Sequence, residues 1–144
     1  MTVERTKVRV YFSLFGNTFP LDYVTEKLGI TPSNTYRKGD IIPNRSVTLF
    51  RKETSRDLDI GYQESLDVNE QSQQIITPLR NKVSIINEIK KIYSVECKFI
   101  IVVEIEVGNT PGFYLDRAVI NFASNIEAAF DIDLYASPYE ESNE

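Results

Sequence analysis

The chain has 144 residues, 42% of them hydrophobic and 26% charged, the composition of an ordinary globular protein and the length of one domain. A net charge of −5 argues against a general nucleic-acid binder, whose affinity comes mostly from neutralising phosphates, and no apolar run reaches the roughly 20 residues of a membrane-spanning helix. With no histidine and a single cysteine, the chain has neither an intrachain disulfide, nor Ser-His-Asp or Cys-His chemistry, nor the commonest zinc sites.

The opening Met-Thr-Val-Glu-Arg-Thr-Lys-Val-Arg-Val has no apolar core behind a basic start, so it does not read as a secretory signal. Together with the lone cysteine this leads to the expectation of a cytoplasmic protein. Val8, Val10, Phe12 and Leu14 alternate with Arg9, Tyr11 and Ser13 and predict a half-buried strand, ended by Gly16-Asn17. Phe19-Pro20-Leu21-Asp22 opens a short helix, with Leu21, Val24 and Leu28 as its buried stripe and Gly29 as its stop. Thr31-Pro32-Ser33-Asn34 reads as a loop and Tyr36-Arg37-Lys38-Gly39-Asp40 as a turn. Val47, Leu49 and Phe50 predict a second strand, the polar stretch Arg51–Asp57 a hairpin loop, and alternating Leu58, Ile60 and Tyr62 a third strand.

From Val68 the period becomes helical, through Ile75, Ile76, Leu79, Val83, Ile86, Ile89 and Tyr93. Pro78 interrupts this pattern, and two helices, the second capped by Thr77, are favoured over one kinked helix. Cys97–Val107 is the longest apolar run. Phe99, Ile101, Val103, Ile105 and Val107 fall on one face of a central strand, with Ile100, Val102, Glu104 and Glu106 on the other. Cys97 heads that strand and reads as a small core residue. Gly108–Gly112 is a dense turn signal. Asp116 caps a final helix with Val119, Phe122, Ala123, Ile126, Ala129 and Phe130 on one face, and Asp131–Tyr135 alternates as a closing strand.

The order β-α-β-β-α-β-α-β predicts an α+β fold: a single domain over 1–137, with a largely antiparallel sheet, helices packed on it and a split βαβ-like core. Residues 138–144 read as an acidic, frayed tail.

Several of these pieces together resemble a bacterial family known as domain of unknown function four-two-seven-nine. They are the strand Val8–Phe15; Val24-Thr25-Glu26-Lys27-Leu28-Gly29-Ile30 with Thr31-Pro32; and Tyr36-Arg37-Lys38-Gly39-Asp40. The long helical middle, the apolar strand before Pro111, and Phe130-Asp131-Ile132-Asp133-Leu134-Tyr135 complete the match over almost the whole chain. The family often carries a tryptophan in the strand around Ile60, and this chain has none. The resemblance implies a small stand-alone α+β domain of bacteria and phages, and brings no activity, cofactor or catalytic residue.

Candidate sites therefore rest on the residues. Asp131 and Asp133, two apart on a strand, project from one face and are near enough to share a hard cation, with Glu127 as a third carboxylate; they are equally the polar face of an amphipathic strand. Glu104 and Glu106 repeat the pattern on the central strand. If the two strands are neighbours, cations such as Arg9, Arg37 or Lys38 have to separate the two acidic pairs. Tyr36, Arg37, Lys38 and Asp40 put an aromatic, two cations and a carboxylate into one loop that fits an anion or an acidic partner. The flanking charge agrees: Arg37–Arg56 sums to +4, whereas from Asn121 onwards there are six acidic residues and no basic one. Tyr11, Phe12, Phe15 and Phe19 cluster in sequence and read as core packing.

No catalytic residue, metal-ligand set or cofactor emerges. The favoured expectation is a non-catalytic module that docks a protein partner, in the manner of an inhibitor or immunity protein, through Asp131, Asp133 and the acidic tail or through Arg37, Lys38 and Asp40. The alternatives are a small-molecule or divalent-metal enzyme using Asp131, Asp133 and Glu127 with Arg37 and Lys38, and an oligomerising domain that pairs sheet edges. Neither nucleic acid nor membrane is an expected partner.

Overall fold

The computed structural model describes residues Arg5–Ala136. Its elements are β1 (Lys7–Gly16), α1 (Leu21–Leu28), β2 (Asn34–Tyr36), β3 (Thr54–Gln63), α2 (Val68–Ile76), a 3-10 turn (Thr77–Leu79), α3 (Val83–Tyr93), β4 (Glu96–Ile105), α4 (Arg117–Asn125) and β5 (Ala129–Ala136). The strands form one sheet in the order β2-β3-β1-β4-β5. β1 runs antiparallel to β3 and β4, β2 runs antiparallel to β3, and only β5 is parallel to its neighbour β4. Two split β-α-β units interleave: β1-α1-β2 brackets β3, and β3-α2-α3-β4 brackets β1. The α4 crossover then adds β5. This is the α+β, largely antiparallel fold with a split βαβ core that the alternation and helical periods predict.

One face of the sheet carries the core. Val8, Val10, Phe12 and Leu14 of β1 and Cys97, Phe99, Ile101 and Val103 of β4 are buried against the apolar stripes of all four helices. Phe99 is the hub: its ring lies 5.0 Å from Phe12, 5.2 Å from Phe130 and 6.3 Å from Phe122, contacts worth about 0.5–1.5 kcal/mol each beyond the area they bury. The caps predicted at Gly29 and Asp116 form. Gly29 closes α1 in the left-handed conformation with its N–H on Thr25 O at 2.9 Å, and Asp116 Oδ1 accepts from the Val119 N–H at 2.9 Å to open α4.

Several predicted boundaries are corrected. The second strand is Asn34–Tyr36, read from sequence as loop, and not Val47–Phe50. Asn34 pairs with Asp57 and Tyr36 with Ser55, which fills the sheet edge. Val47, Leu49 and Phe50 are then left in an exposed hairpin held by the Ile42 N–H to Leu49 O bond and an isolated Ile41–Phe50 bridge. β3 begins at Thr54, inside the predicted loop. Its polar start is buried because each side chain finds a partner: Thr54 donates to Asn17 O, Ser55 pairs with Ser13 at 2.8 Å, and Arg56 reaches Thr25 Oγ1 and Ile30 O.

α2 and α3 are separate helices, as favoured, but Thr77 closes α2 as its C-cap, its hydroxyl donating back to Gln73 O at 2.7 Å, rather than opening the next helix, and α3 starts only at Val83. β1, not β4, is the middle strand. Val107 lies beyond the end of β4 and is exposed, and Ala129 and Phe130 belong to β5 rather than to the last helix. Of the aromatic cluster only Phe12 and Phe19 enter the core. The expectation for 138–144 falls outside the described residues. No helix among the described residues is long and apolar enough to cross a membrane.

Candidate binding face

Helices cover one side of the sheet, so strand alternation aims every second side chain at the other. Register aligns these into cross-sheet rows. One row runs Asp59–Tyr11–Ile100–Asp131, and the next Tyr62–Arg9–Val102–Asp133. Ile100 and Val102 are 3% and 8% exposed and lie outside the helix-packed core, walled in by the long side chains on either side of them.

Arg9 organises the middle of this face. Its Nε donates to Asp59 Oδ2 at 2.7 Å and its Nη2 to the same oxygen, while the guanidinium lies 4.8 Å from the Tyr11 ring centroid and 5.7 Å from that of Tyr62. The hydrogen bond to Asp59 raises the Arg9 pKa against the cost of burial. Burial, followed by the field of Asp57, raises the pKa of Tyr11, and Asp133 adds to it. Burial also raises Tyr62, followed by Glu104, to which Tyr62 is hydrogen-bonded. Both phenols therefore stay protonated donors throughout the neutral range.

Asp131 and Asp133 stand on the same face at the β5 edge, opposite Ile100 and Val102. Asp131 is exposed and Asp133 half-buried. Among the described residues neither carboxylate is in an ion pair. Glu104, opposite Tyr135, completes an acidic flank with them. β4 and β5 are neighbours, as the acidic-pair argument supposed, but the separating cation differs: Arg9 shares the face yet is bonded to Asp59, and Arg37 and Lys38 are remote. Glu106 lies past the end of β4. Glu127 falls in the turn before β5 and lines a cleft of about 930 Å³ with Lys90, Lys91 and Glu96, not the Asp131–Asp133 surface. Among the described residues no three Asp, Glu or Cys side chains converge as a group that could hold a metal ion.

The loop Tyr36–Asp40 sits at the opposite edge, four strand spacings or about 19 Å away. Asp40 Oδ2 accepts from the Arg37 N–H at 2.7 Å, and the Asp40 N–H donates to Arg37 O at 3.0 Å, so this carboxylate closes its own turn. Lys38 Nζ donates to Asn17 Oδ1 at 2.6 Å. Arg37 and Lys38 line a hollow of about 510 Å³ with Phe19, Pro20 and Tyr93. The Tyr36 ring instead carries Arg51 at 4.0 Å and lines a polar recess of about 240 Å³ on the helix-free face with Ser55, Asp57 and Lys98. The two groups of candidate residues thus do not meet in one site. Sequence reasoning named Arg9 only as a cation between the acidic pairs, read Tyr11 as core packing, and missed Asp59 and Tyr62 as site members. The available signal for Tyr11 and Asp59 was the polar phase of the first and third strands; Tyr62 sits in the apolar phase of its strand and reaches this face only through the register shift between Arg9 and Tyr11.

Cys97 is core, 3% exposed, and burial pushes its thiol up to about 11, away from nucleophilic reactivity.

A family model described as a domain of unknown function (DUF4279) matches residues 6–137. No curated protein and no solved structure matches the chain.

Proposed function

The chain belongs to the DUF4279 family of unknown function, and from its helix-free face we infer that it is a non-catalytic docking module for a basic protein surface. The observation that carries this is the arrangement of Asp131, Asp133 and Glu104 on that face beside Tyr11, Tyr62 and Tyr135. Tyrosine and arginine enrichment is what binding hot spots use, since each supplies large contact area with a polar tip at low entropic cost. The carboxylates of Asp131 and Asp133, outside any ion pair, together with Glu104 steer and select a cationic partner, and Arg9, neutralised by Asp59, stiffens the platform without cancelling the field. Arg37, Lys38 and Asp40 lie at the far edge and take no part.

A tagged pull-down from lysate of the source cell tests this, with Asp131→Lys/Asp133→Lys and Arg37→Glu/Lys38→Glu variants alongside. The expected result is one stoichiometric, basic protein that the second variant keeps and the first loses. A partner lost only by the Arg37→Glu/Lys38→Glu variant overturns the assignment of the face.

A further inference from the structure

β5 is the last strand of the sheet, bonded on one side to β4 from Lys98↔Ala129 to Ile105↔Ala136. Among the described residues nothing pairs with its other side. The edge at the opposite end, β2, is only three residues long, whereas β5 has eight. A long edge strand presents a row of unpaired N–H and C=O groups, a template for another extended chain. Its side chains add a period-two code: Asp131 and Asp133 on the helix-free face, Ile132 and Leu134 on the helix side, the latter two 46% and 59% exposed.

We propose that the outer edge of β5 receives an extended segment of the partner as an added strand, with cationic side chains beside Asp131 and Asp133 and apolar ones beside Ile132 and Leu134. This rests on the reading of the acidic face as the surface for a basic partner, and specifies how that partner attaches.

The same code disfavours a second copy of this chain. Antiparallel pairing centred on Ile132, with the helix-free faces aligned, sets Asp131 against Asp133. Centring on Asp131 or on Asp133 sets that residue against itself. Each of these three registers opposes like charges at close range, which destabilises a strand pair. A segment alternating Lys or Arg with Val, Ile or Leu turns both of those contacts favourable.

The test uses the full chain and a fluorescent peptide of alternating lysine and valine between Gly-Ser ends, read by polarisation. Two N-methylated versions block alternate amides, one in each frame. A bound strand offers only one of these sets to its neighbour. The expected result is binding by the parent peptide, loss with Asp131→Lys/Asp133→Lys, and affinities of the two methylated frames that differ by roughly tenfold or more. Equal binding of both frames overturns strand addition and leaves the acidic docking face standing, because charge attraction alone is blind to the frame. No binding by the parent peptide also overturns strand addition. The pull-down then decides separately whether the face itself fails.

Discussion

Arg9 and Asp59 are joined diagonally across a bulge between β1 and β3. Arg9 is in register with Tyr62 and Tyr11 with Asp59, and the slip between them, turned by Gly61 at φ 77°, brings the carboxylate under the guanidinium. The Gly61 N–H also donates to Asp59 Oδ1 at 2.7 Å. The Arg9 side chain is 34% exposed and that of Asp59 13%, so solvent screens the pair in part. Asp59→Ala is expected to destabilise by about 1–2 kcal/mol, and the Arg9→Ala/Asp59→Ala cycle to show about 1 kcal/mol of coupling in urea unfolding. Strict additivity would mean that the pair adds nothing.

Arg56 is a buried cation, 2% exposed, with no carboxylate in its hydrogen bonds. Its guanidinium reaches Thr25 Oγ1 at 3.3 Å and the carbonyl of Ile30 just past α1, and burial lowers its pKa to about 10. The rigid fork reaches these two acceptors from two different nitrogens, Nε and Nη2, whereas an ammonium gathers its three donors on one atom. Arg56→Lys should therefore cost about 1–3 kcal/mol, measured by denaturant midpoint. An unchanged midpoint would show that one donor suffices.

The exposed hairpin gives the opposite expectation. Val47 and Phe50 are 67% and 57% exposed, so Val47→Ser and Phe50→Ser should leave stability within about 0.5 kcal/mol. A loss of several kcal/mol on melting would place these residues in a core that the fold does not give them.

That hairpin also shows where the sequence was legible. Strands and helices whose apolar residues keep one period over many residues, as in β1, β4 and α3, announce themselves, because burial on one face selects that period. β2 has three residues and no apolar alternation; it exists because β3 offers it an edge, a tertiary fact. The start of β3 was hidden because Ser55 and Arg56 are buried by bonds to Ser13, Thr25 and Ile30, distant in sequence. The site split the same way. Asp131 and Asp133 were visible as a same-face pair, whereas Arg9 and Tyr62 join their face only once the strand order is known.

Cys97 makes stability depend on alkaline pH. The thiol ionises near 9.0 in the unfolded chain and near 11 in the fold, so between these values the folded state holds the extra proton. Stability is thus full below pH 9 and falls as pH rises towards 11, by about 2–3 kcal/mol. Tyr11 and Tyr62, also raised, act in the same direction above pH 10, and Arg56, lowered, acts against them. Urea midpoints at pH 8 and pH 10.5 should fall less in Cys97→Ala than in the parent. Equal falls would remove Cys97 as the source.

The carboxylates on β5 serve a second purpose if its outer edge is a docking strand. An eight-residue edge with Ile132 and Leu134 exposed is an invitation to self-pairing, and charge at such an edge is a recognised defence. Asp131→Ser/Asp133→Ser removes the like-charge opposition while keeping polarity and strand geometry. The variant is expected to dimerise at lower concentration than the parent in light scattering, by up to roughly fivefold for each carboxylate contact relieved at about 1 kcal/mol. Identical association curves for the two proteins would show that something other than these two charges keeps the edge apart.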